Sequence, residues 1–186
     1  MREITKYNFL ADCQSTFQEC SRDQQDVMNV PDDPCINFDD VVEKYANSLG
    51  YSKDGAASAD SFVLTKDPDN APVLIEFKNG QLQHSPRTRL NIREKMCNSI
   101  LILEAILGES WLDLRSTMQF ILVYNESKNP KAGNPKDKIR SSVGNKAAGT
   151  KDIRFGLEKY SLYYSNIRTL TESEFTSVVN SGEFHI

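Results

Sequence analysis

The chain has 186 residues, of which 39% are hydrophobic and 26% are charged, a composition typical of one globular domain with a sizeable core. Its apolar runs are too short to cross a bilayer, and its first residues lack the apolar stretch of a secretory signal, so we expect a cytoplasmic protein without membrane contact. The formal net charge is −4, but residues 1–77 hold 6 Lys and Arg against 15 Asp and Glu, whereas residues 78–154 hold 14 against 7. The basic part predicts either a phosphate-facing surface or a solvated loop.

The first element is predicted from apolar residues at helical spacing. Leu10, Cys13, Phe17 and Cys20 form one stripe, which indicates an amphipathic helix over residues 6–28. Because the four cysteines form no Cys-x-x-Cys pair and the two histidines lie far apart, we expect reduced thiols rather than zinc ligands or disulfides, and no histidine-based triad.

A second helix has well-marked ends. Asn37 suits its N-cap, the aspartates that follow suit the positive end of the helix dipole, and Gly50 suits its stop, so we expect a helix over residues 38–49. Residues 51–59 contain few β-formers, and they hold either a first strand or only a loop.

Two short apolar runs then predict a β-hairpin. Residues 61–65 and 72–77 are β-prone, and the Asp-Pro-Asp-Asn between them consists of residues that turns prefer. Because side chains alternate along a strand, Glu76 and Lys78 point to the same side while their neighbours point into the core. With Asp60 before the first strand, three charged residues are expected at one end of the sheet.

A basic stretch and a long helix follow the hairpin. An apolar stripe predicts the helix over residues 90–107, and four basic residues gather around its start. Helix N-termini favour anions, so this cluster predicts a phosphate subsite, although surface ion pairs explain it equally well. The four residues are Arg87, Arg89, Arg93 and Lys95.

The remaining elements include one clear strand and one long basic segment. Residues 119–124 are β-branched and aromatic, which predicts a strand at the centre of the sheet. Residues 128–152 are rich in Gly, Pro and Lys, and they form either a loop that closes over a nucleic-acid strand or a segment without order. After them we expect a helix over residues 155–164, an edge strand over residues 166–170 and a capped helix over residues 171–179. The nucleic-acid-binding candidates in the basic segment are Lys136, Lys138 and Arg140.

All these elements fit a single domain of mixed α/β type. Its expected parts are an N-terminal helix and linker (1–35), a core (36–127), a basic loop (128–152) and a C-terminal extension of helix and strand (153–186). The charged residues of the hairpin lie inside the core.

Asp60 before one strand, with Glu76 and Lys78 as a Glu-x-Lys at the end of the next, resembles the PD-(D/E)xK superfamily of metal-dependent nucleases. The resemblance covers about residues 38–124, and it implies a restriction-endonuclease-like αβββαβ core. It also implies that Asp60 and Glu76 hold Mg²⁺ or Mn²⁺, and that Lys78 orients the attacking water or stabilises charge on the phosphate. Glu43, on the preceding helix, is the candidate for an additional acid, although a solvated surface acid fits its position as well.

Such a site would hydrolyse phosphodiester bonds in DNA or RNA, because a divalent metal held by carboxylates activates water and stabilises the developing negative charge. The resemblance implies a bacterial or phage-like hydrolase; a homodimer and a protein partner stay open. The alternative is a non-catalytic interaction protein, of an immunity or regulatory type, on a related α/β scaffold. The three charged residues would then be a structural ion-pair cluster.

Overall fold

The computed structural model describes residues 10, 12–23, 26–52, 56–66, 71–83, 85–131 and 153–185. Within this part of the chain, seven strands form one mixed sheet that carries five α-helices. The strands are β1 (Gln14–Thr16), β2 (Pro34–Asn37), β3 (Ser61–Thr65), β4 (Pro72–Lys78), β5 (Gln119–Tyr124), β6 (Asn166–Thr171) and β7 (Phe184–His185). The helices are α1 (Phe17–Cys20), α2 (Phe38–Ser48), α3 (Pro86–Leu107), α4 (Trp111–Thr117) and α5 (Glu172–Asn180), and a 3-10 helix spans Glu158–Leu162.

The strands follow the order β1-β2-β3-β4-β5-β6 across the sheet. The pairs from β1 to β4 are antiparallel, whereas β4, β5 and β6 run parallel to one another. The short strand β7 pairs with β3 as well, antiparallel and beyond the part of β3 that pairs with β2. The carboxyl ends of β4, β5 and β6 therefore meet at one edge of the sheet.

The core lies on both faces of the sheet. On one face, Leu74 of β4 belongs to a cluster that includes the buried residues of α2 and α3. On the other face, Phe17 of α1 and Phe175 of α5 pack edge to face, with ring centroids 5.0 Å apart. Because Glu76 and Lys78 follow Leu74 in the alternation, they lie on the face that α2 and α3 cover.

Much of the expected architecture is confirmed. The class is mixed α/β, both hairpin strands form, β5 is paired on both sides, and β6 lies at the edge of the sheet. The last helix begins with the expected capping box: Thr171 Oγ1 accepts a hydrogen bond from the Glu174 N–H, and the Glu174 carboxylate accepts one from the Thr171 N–H. The long helix α3 starts before residue 90 because Ser85 caps it and Pro86 fits its first turn.

The predicted helix over residues 6–28 is wrong in the part that the structure describes. Residues 14–16 are a strand, and only a four-residue helix follows it. Thr16 is extended, with φ −122° and ψ 159°, and its side chain accepts a hydrogen bond from the Glu19 N–H, so a new helix starts there. Leu10 and Phe17 are nevertheless fully buried. The apolar spacing thus indicated which residues are buried and not the backbone conformation that buries them.

For residues 51–59, the sequence allows either a first strand or a loop. No strand forms among the described residues of that segment. Its place beside β3 is taken by β2, which precedes α2 in the chain and pairs Ile36 with Phe62. In place of the helix expected over residues 155–164, the structure has the 3-10 helix. No helix can include Phe155 and Gly156, because their φ values are 64° and 75°. Helix α4 is not among the elements predicted from the sequence, and Ser110 is its N-cap.

The described residues contain no candidate membrane-spanning helix. None of the helices there combines the length and the apolar character that crossing a bilayer requires.

Candidate functional site

The structure brings Asp60, Glu76 and Lys78 together. Ser61 pairs with Ile75 across the hairpin, so Asp60 lies opposite Glu76 where β3 begins. The Lys78 ammonium lies 2.7 Å from Glu76 Oε1. The prediction that these three charged residues meet at one end of the sheet is confirmed by this geometry.

Both backbone polar groups of Asp60 form hydrogen bonds, in addition to those of its carboxylate. Its N–H donates to the Ile75 carbonyl at 3.1 Å, and its carbonyl accepts from the Phe38 N–H at the start of α2, also at 3.1 Å. The side chain is fixed as well, because Oδ2 accepts a hydrogen bond of 2.7 Å from the Phe77 N–H. The carboxylate is therefore oriented by the chain itself.

A fourth charged residue, Lys95, reaches the cluster from α3. Its ammonium donates to Asp60 Oδ1 at 2.8 Å and to Glu76 Oε2 at 3.0 Å. Helix α3 is anchored beside the site, because the Ser99 hydroxyl accepts a hydrogen bond of 2.8 Å from the Ala59 N–H. Lys95 was expected among the phosphate-binding residues at the start of the helix; the structure places it between the two carboxylates.

The sequence contains a signal for this placement of Lys95. The buried face of α3 includes Ile92, Met96 and Ser99. Lys95 follows Ile92 by three positions and precedes Ser99 by four, which are the spacings of side chains on one helix face. A lysine on the inward stripe of an amphipathic helix, with an acid pair on the facing strands, is thus a pattern that would have identified it.

The cluster is largely removed from water. The Glu76 side chain is 0% exposed, whereas Lys78 and Lys95 are 22% and 14% exposed. Glu76 Oε1 has no hydrogen-bond partner among the described residues although the Lys78 ammonium is 2.7 Å away, so this contact has the distance of an ion pair without the angles of a hydrogen bond. Glu76 thus faces Lys78 through Oε1 and Lys95 through Oε2.

Burial and charge set the protonation of the site. Burial raises the pKa of Asp60 to about 7, the negative charge of Glu76 adds to the rise, and the charges of Lys95 and Lys78 oppose it. Burial by itself lowers the pKa of Lys95, but the charges of Glu76 and Asp60, and the hydrogen bonds to both, outweigh burial, so the pKa of Lys95 is raised. Lys95 is therefore a permanent cation in this site.

The donor set fits a hard divalent cation. One oxygen of Asp60 and one of Glu76 both lie within hydrogen-bond distance of a single point, which the Lys95 ammonium occupies. Mg²⁺ prefers oxygen ligands, and it usually takes one or two carboxylates from the protein and keeps several waters. No group of three or more His, Cys, Asp and Glu that could hold a metal occurs among the described residues, so these two carboxylates are the protein ligands that the described site offers.

The additional acid, Glu43, lies on the exposed side of α2. Since no group of three acids is found in the described part of the chain, Glu43 does not complete a metal site with Asp60 and Glu76 there. The position fits the second interpretation of this residue, that of a surface acid.

The other predicted phosphate-binding residues of α3 have different surroundings in the structure. Arg87 is exposed at the start of the helix. Arg89 donates to the Gln83 carbonyl at 3.1 Å, and Arg93 packs against Gly156, where an added Cβ would lie 3.1 Å from its Nη2. Three further candidates lie outside the described residues, namely Lys136, Lys138 and Arg140.

The loops that follow β4 and β5 are tied together beside Lys78. The Asn79 amide oxygen accepts from Asn125 Nδ2 at 2.8 Å, and Asn129 Oδ1 accepts from the Leu82 N–H at 2.6 Å. These amides give the carboxyl edge of the sheet a fixed shape next to the charged cluster. Nothing in the spacing of the asparagines along the chain indicated this network.

No protein-family model, no curated protein and no solved structure matches the chain. The likeness to the PD-(D/E)xK nucleases therefore stays a prediction from three residues. Any functional assignment depends on the geometry and chemistry of the cluster formed by Asp60, Glu76, Lys78 and Lys95.

Proposed function

We propose that the chain is a small Mg²⁺-dependent nuclease of the PD-(D/E)xK type, a hydrolase that cleaves phosphodiester bonds in DNA or RNA. The observation that supports this proposal is the convergence of Asp60, Glu76 and Lys78 at one end of β3 and β4, with the Asp60 carboxylate oriented by the Phe77 N–H. Two carboxylates can hold a divalent metal that activates water for hydrolysis of a phosphodiester, and the lysine adds a positive charge that would face the phosphate.

Each residue has a distinct task in this proposal. A divalent cation, when bound, supplies an activated water and neutralises charge on the phosphate. Asp60 and Glu76 would hold the cation, and Mn²⁺ would serve as well as Mg²⁺. Lys78, next to Glu76, would place its positive charge beside a phosphate oxygen or the attacking water. Because Glu76 is fully buried, these charges act in surroundings of low dielectric, where they are stronger than in water.

A restriction-endonuclease-like fold is part of the same proposal. The succession α2, antiparallel β3 and β4, α3 and parallel β5 follows that plan. Strand β2 lies antiparallel beside β3, where the plan has its third antiparallel strand, but it comes from the segment before α2. We also propose that the protein is cytoplasmic. Arg87 and the basic segment 128–152 are the proposed contacts to phosphate groups of the nucleic acid.

One observation favours the non-catalytic alternative. The two carboxylates of the site face two ammonium groups, Lys78 and Lys95, so the cluster is balanced in charge without any metal. A buried ion-pair network of this kind could equally belong to an immunity or regulatory protein that binds a protein partner.

Cleavage assays test the two candidates. The full chain is incubated with single-stranded DNA, double-stranded DNA and RNA, in Mg²⁺, in Mn²⁺ and in EDTA. We expect cleavage of at least one substrate that EDTA abolishes. Asp60→Asn and Lys78→Met should lose this cleavage while circular dichroism shows that they remain folded.

The control is Glu94→Gln, which changes an exposed acid on α3 beside Lys95 without touching the described ion pairs of the site. It should cleave like the wild type. Cleavage that survives in Asp60→Asn or in EDTA would contradict the metal site proposed here. No cleavage of any of the three nucleic acids would favour the non-catalytic alternative.

A further inference from the structure

The ammonium of Lys95 occupies the point that the two carboxylates of the site share. It lies 2.8 Å from Asp60 Oδ1 and 3.0 Å from Glu76 Oε2, and among the described residues it is the one ion-pair partner common to both acids. Lys78 pairs with Glu76 through the other oxygen, Oε1. The two lysines therefore lie in different places, and Lys95 is the one at the point that Asp60 Oδ1 and Glu76 Oε2 share.

The charge of Lys95 is needed in that place when no other cation is there. Asp60 and Glu76 are close enough for one ammonium to lie 2.8 Å from the first carboxylate and 3.0 Å from the second, and the Glu76 side chain is fully buried. Two neighbouring carboxylates in such surroundings repel each other strongly unless a cation lies between them. Lys95 supplies that cation from within the chain.

A divalent ion bound by the same two oxygens would compete with this ammonium. Both would need the same point, and a lysine left beside the ion would repel it through like charge. The Lys95 side chain has a flexible four-carbon stem and is 14% exposed, so it can turn towards water when another cation takes its place.

We propose that Lys95 acts as an internal counter-ion that fills the cation position of the site and is displaced when a divalent metal binds. The inference rests on the proposed metal site, and it adds to it a competition between a residue of the chain and the metal. Lys95 is thus a positioning residue: its ammonium lies between Asp60 and Glu76 in the metal-free protein, and it lowers the apparent metal affinity.

Calorimetric titration of the full chain with Mn²⁺ tests this competition. We compare the wild type with Lys95→Met, which removes the ammonium and keeps much of the stem. If Lys95 fills the position in about nine molecules of ten, its removal tightens Mn²⁺ binding about tenfold, because apparent affinity scales with the fraction of molecules that are free to bind. The matched control is Lys78→Met, which removes the same charge from the same cluster but not from the shared point, and it should tighten binding by less.

Thermal unfolding provides a readout that is independent of affinity. In EDTA, Lys95→Met should unfold at a lower temperature than the wild type, since its two carboxylates face each other, and Mn²⁺ should raise its melting temperature by more than it raises that of the wild type. The double variant Asp60→Asn with Lys95→Met lacks the repulsion, so it should recover stability in EDTA and show no gain with Mn²⁺. If Lys95→Met fails to fold, Lys95→Gln, whose amide still donates hydrogen bonds, replaces it.

The outcomes separate the two proposals. Equal or weaker Mn²⁺ binding in Lys95→Met than in a wild type that binds Mn²⁺ would overturn the role of Lys95 and leave the metal site standing. Equal tightening in Lys78→Met would overturn it too, since it would show a general effect of charge. No Mn²⁺ binding by any variant, Lys95→Met included, would contradict both this inference and the metal-dependent nuclease.

Discussion

The carboxylate of Asp60 accepts a hydrogen bond of 2.7 Å from the backbone N–H of Phe77, the residue between Glu76 and Lys78. The side chain of one half of the motif is thus fixed by the backbone of the other half. This bond continues the hairpin pairing beyond Ser61. A shift of register between β3 and β4 would therefore move Asp60 away from the Phe77 N–H and from Glu76 at once. The register of β3 against β4 therefore determines the geometry of the site.

The first prediction concerns the pH dependence of stability. Burial and the charge of Glu76 raise the pKa of Asp60 from its usual 3.8 to about 7. An acid with a higher pKa in the folded state contributes stability that is present below its unfolded pKa and is lost as pH rises through its folded pKa. We therefore expect the free energy of unfolding of the wild type to fall relative to that of Asp60→Asn between about pH 4 and 7, by up to a few kcal/mol, since one pKa unit corresponds to about 1.4 kcal/mol.

Urea unfolding of both proteins at a series of pH values measures this difference. The substitution removes the titrating group and keeps the shape of the side chain. A difference that stays constant across the range would show that Asp60 is ionised throughout.

The second prediction concerns the buried ion pairs of Glu76. Glu76→Gln leaves Lys95 and Lys78 without their common partner in a site that water hardly reaches. Removing one member of a buried pair leaves an uncompensated charge, so we expect the free energy of unfolding to fall by roughly 3 kcal/mol. The control is Glu19→Gln, which breaks an exposed pair with Arg22 and should lower stability by about 1 kcal/mol or less. Similar losses in both variants, measured by urea unfolding, would show that burial adds nothing to the Glu76 pairs.

The third prediction compares two glycines with positive φ. Gly156 and Gly108 have φ values of 75° and 62°, so an alanine at either position adopts a left-handed conformation at a cost of about 1 kcal/mol or more. At Gly156 the new Cβ would also lie 3.1 Å from Arg93 Nη2, whereas at Gly108 it meets nothing within 4 Å. We expect Gly156→Ala to lower the melting temperature more than Gly108→Ala does. Equal shifts would mean that the Arg93 side chain moves aside freely.

The fourth prediction concerns thiol reactivity. The Sγ atoms of Cys20 and Cys35 lie 3.6 Å apart, and the hydrogen bond from Cys35 lowers the pKa of Cys20 against the effect of burial. Burial raises the pKa of Cys97, which is half-buried like Cys20. Because the thiolate is the reactive form, iodoacetamide at about pH 8 should modify Cys20 before Cys97. Peptide mass spectrometry over a time course measures the order, and Cys35→Ala, which removes the donor that lowers the pKa of Cys20, should reduce the difference.

The hairpin could be predicted from sequence because its determinants are local. Alternation along residues 72–77 and the turn residues before them define the strands, and alternation alone places Glu76 and Lys78 on one side. The capped helix α5 and the strand β5 are of the same kind, each with its signal within a few residues. For the same reason, three of the four residues of the charged cluster were expected together.

The parts that sequence did not predict depend on distant partners. Strand β2 begins with Pro34, and its four residues have little strand character of their own. They become a strand because β1 and β3 flank them. Lys95 belongs to the site only because α3 packs over β4, which the sequence near Lys95 does not contain. Phe155 shows the same limit, since a residue with φ of 64° has ring contacts with Tyr124, 31 positions earlier in the chain, and with Arg154.

Strand β3 also has a consequence for the order in which the protein assembles. Its outer edge pairs with β2 at Phe62 and with β7 at Leu64 and Thr65, so neighbours from opposite parts of the chain complete it. During synthesis on the ribosome, the hairpin that carries the site can form soon after residue 78 emerges, but β7 is made much later. Until then, the backbone N–H and C=O groups on part of the β3 edge have no partner strand. Nascent chains that meet one another at this stage are at risk of pairing there.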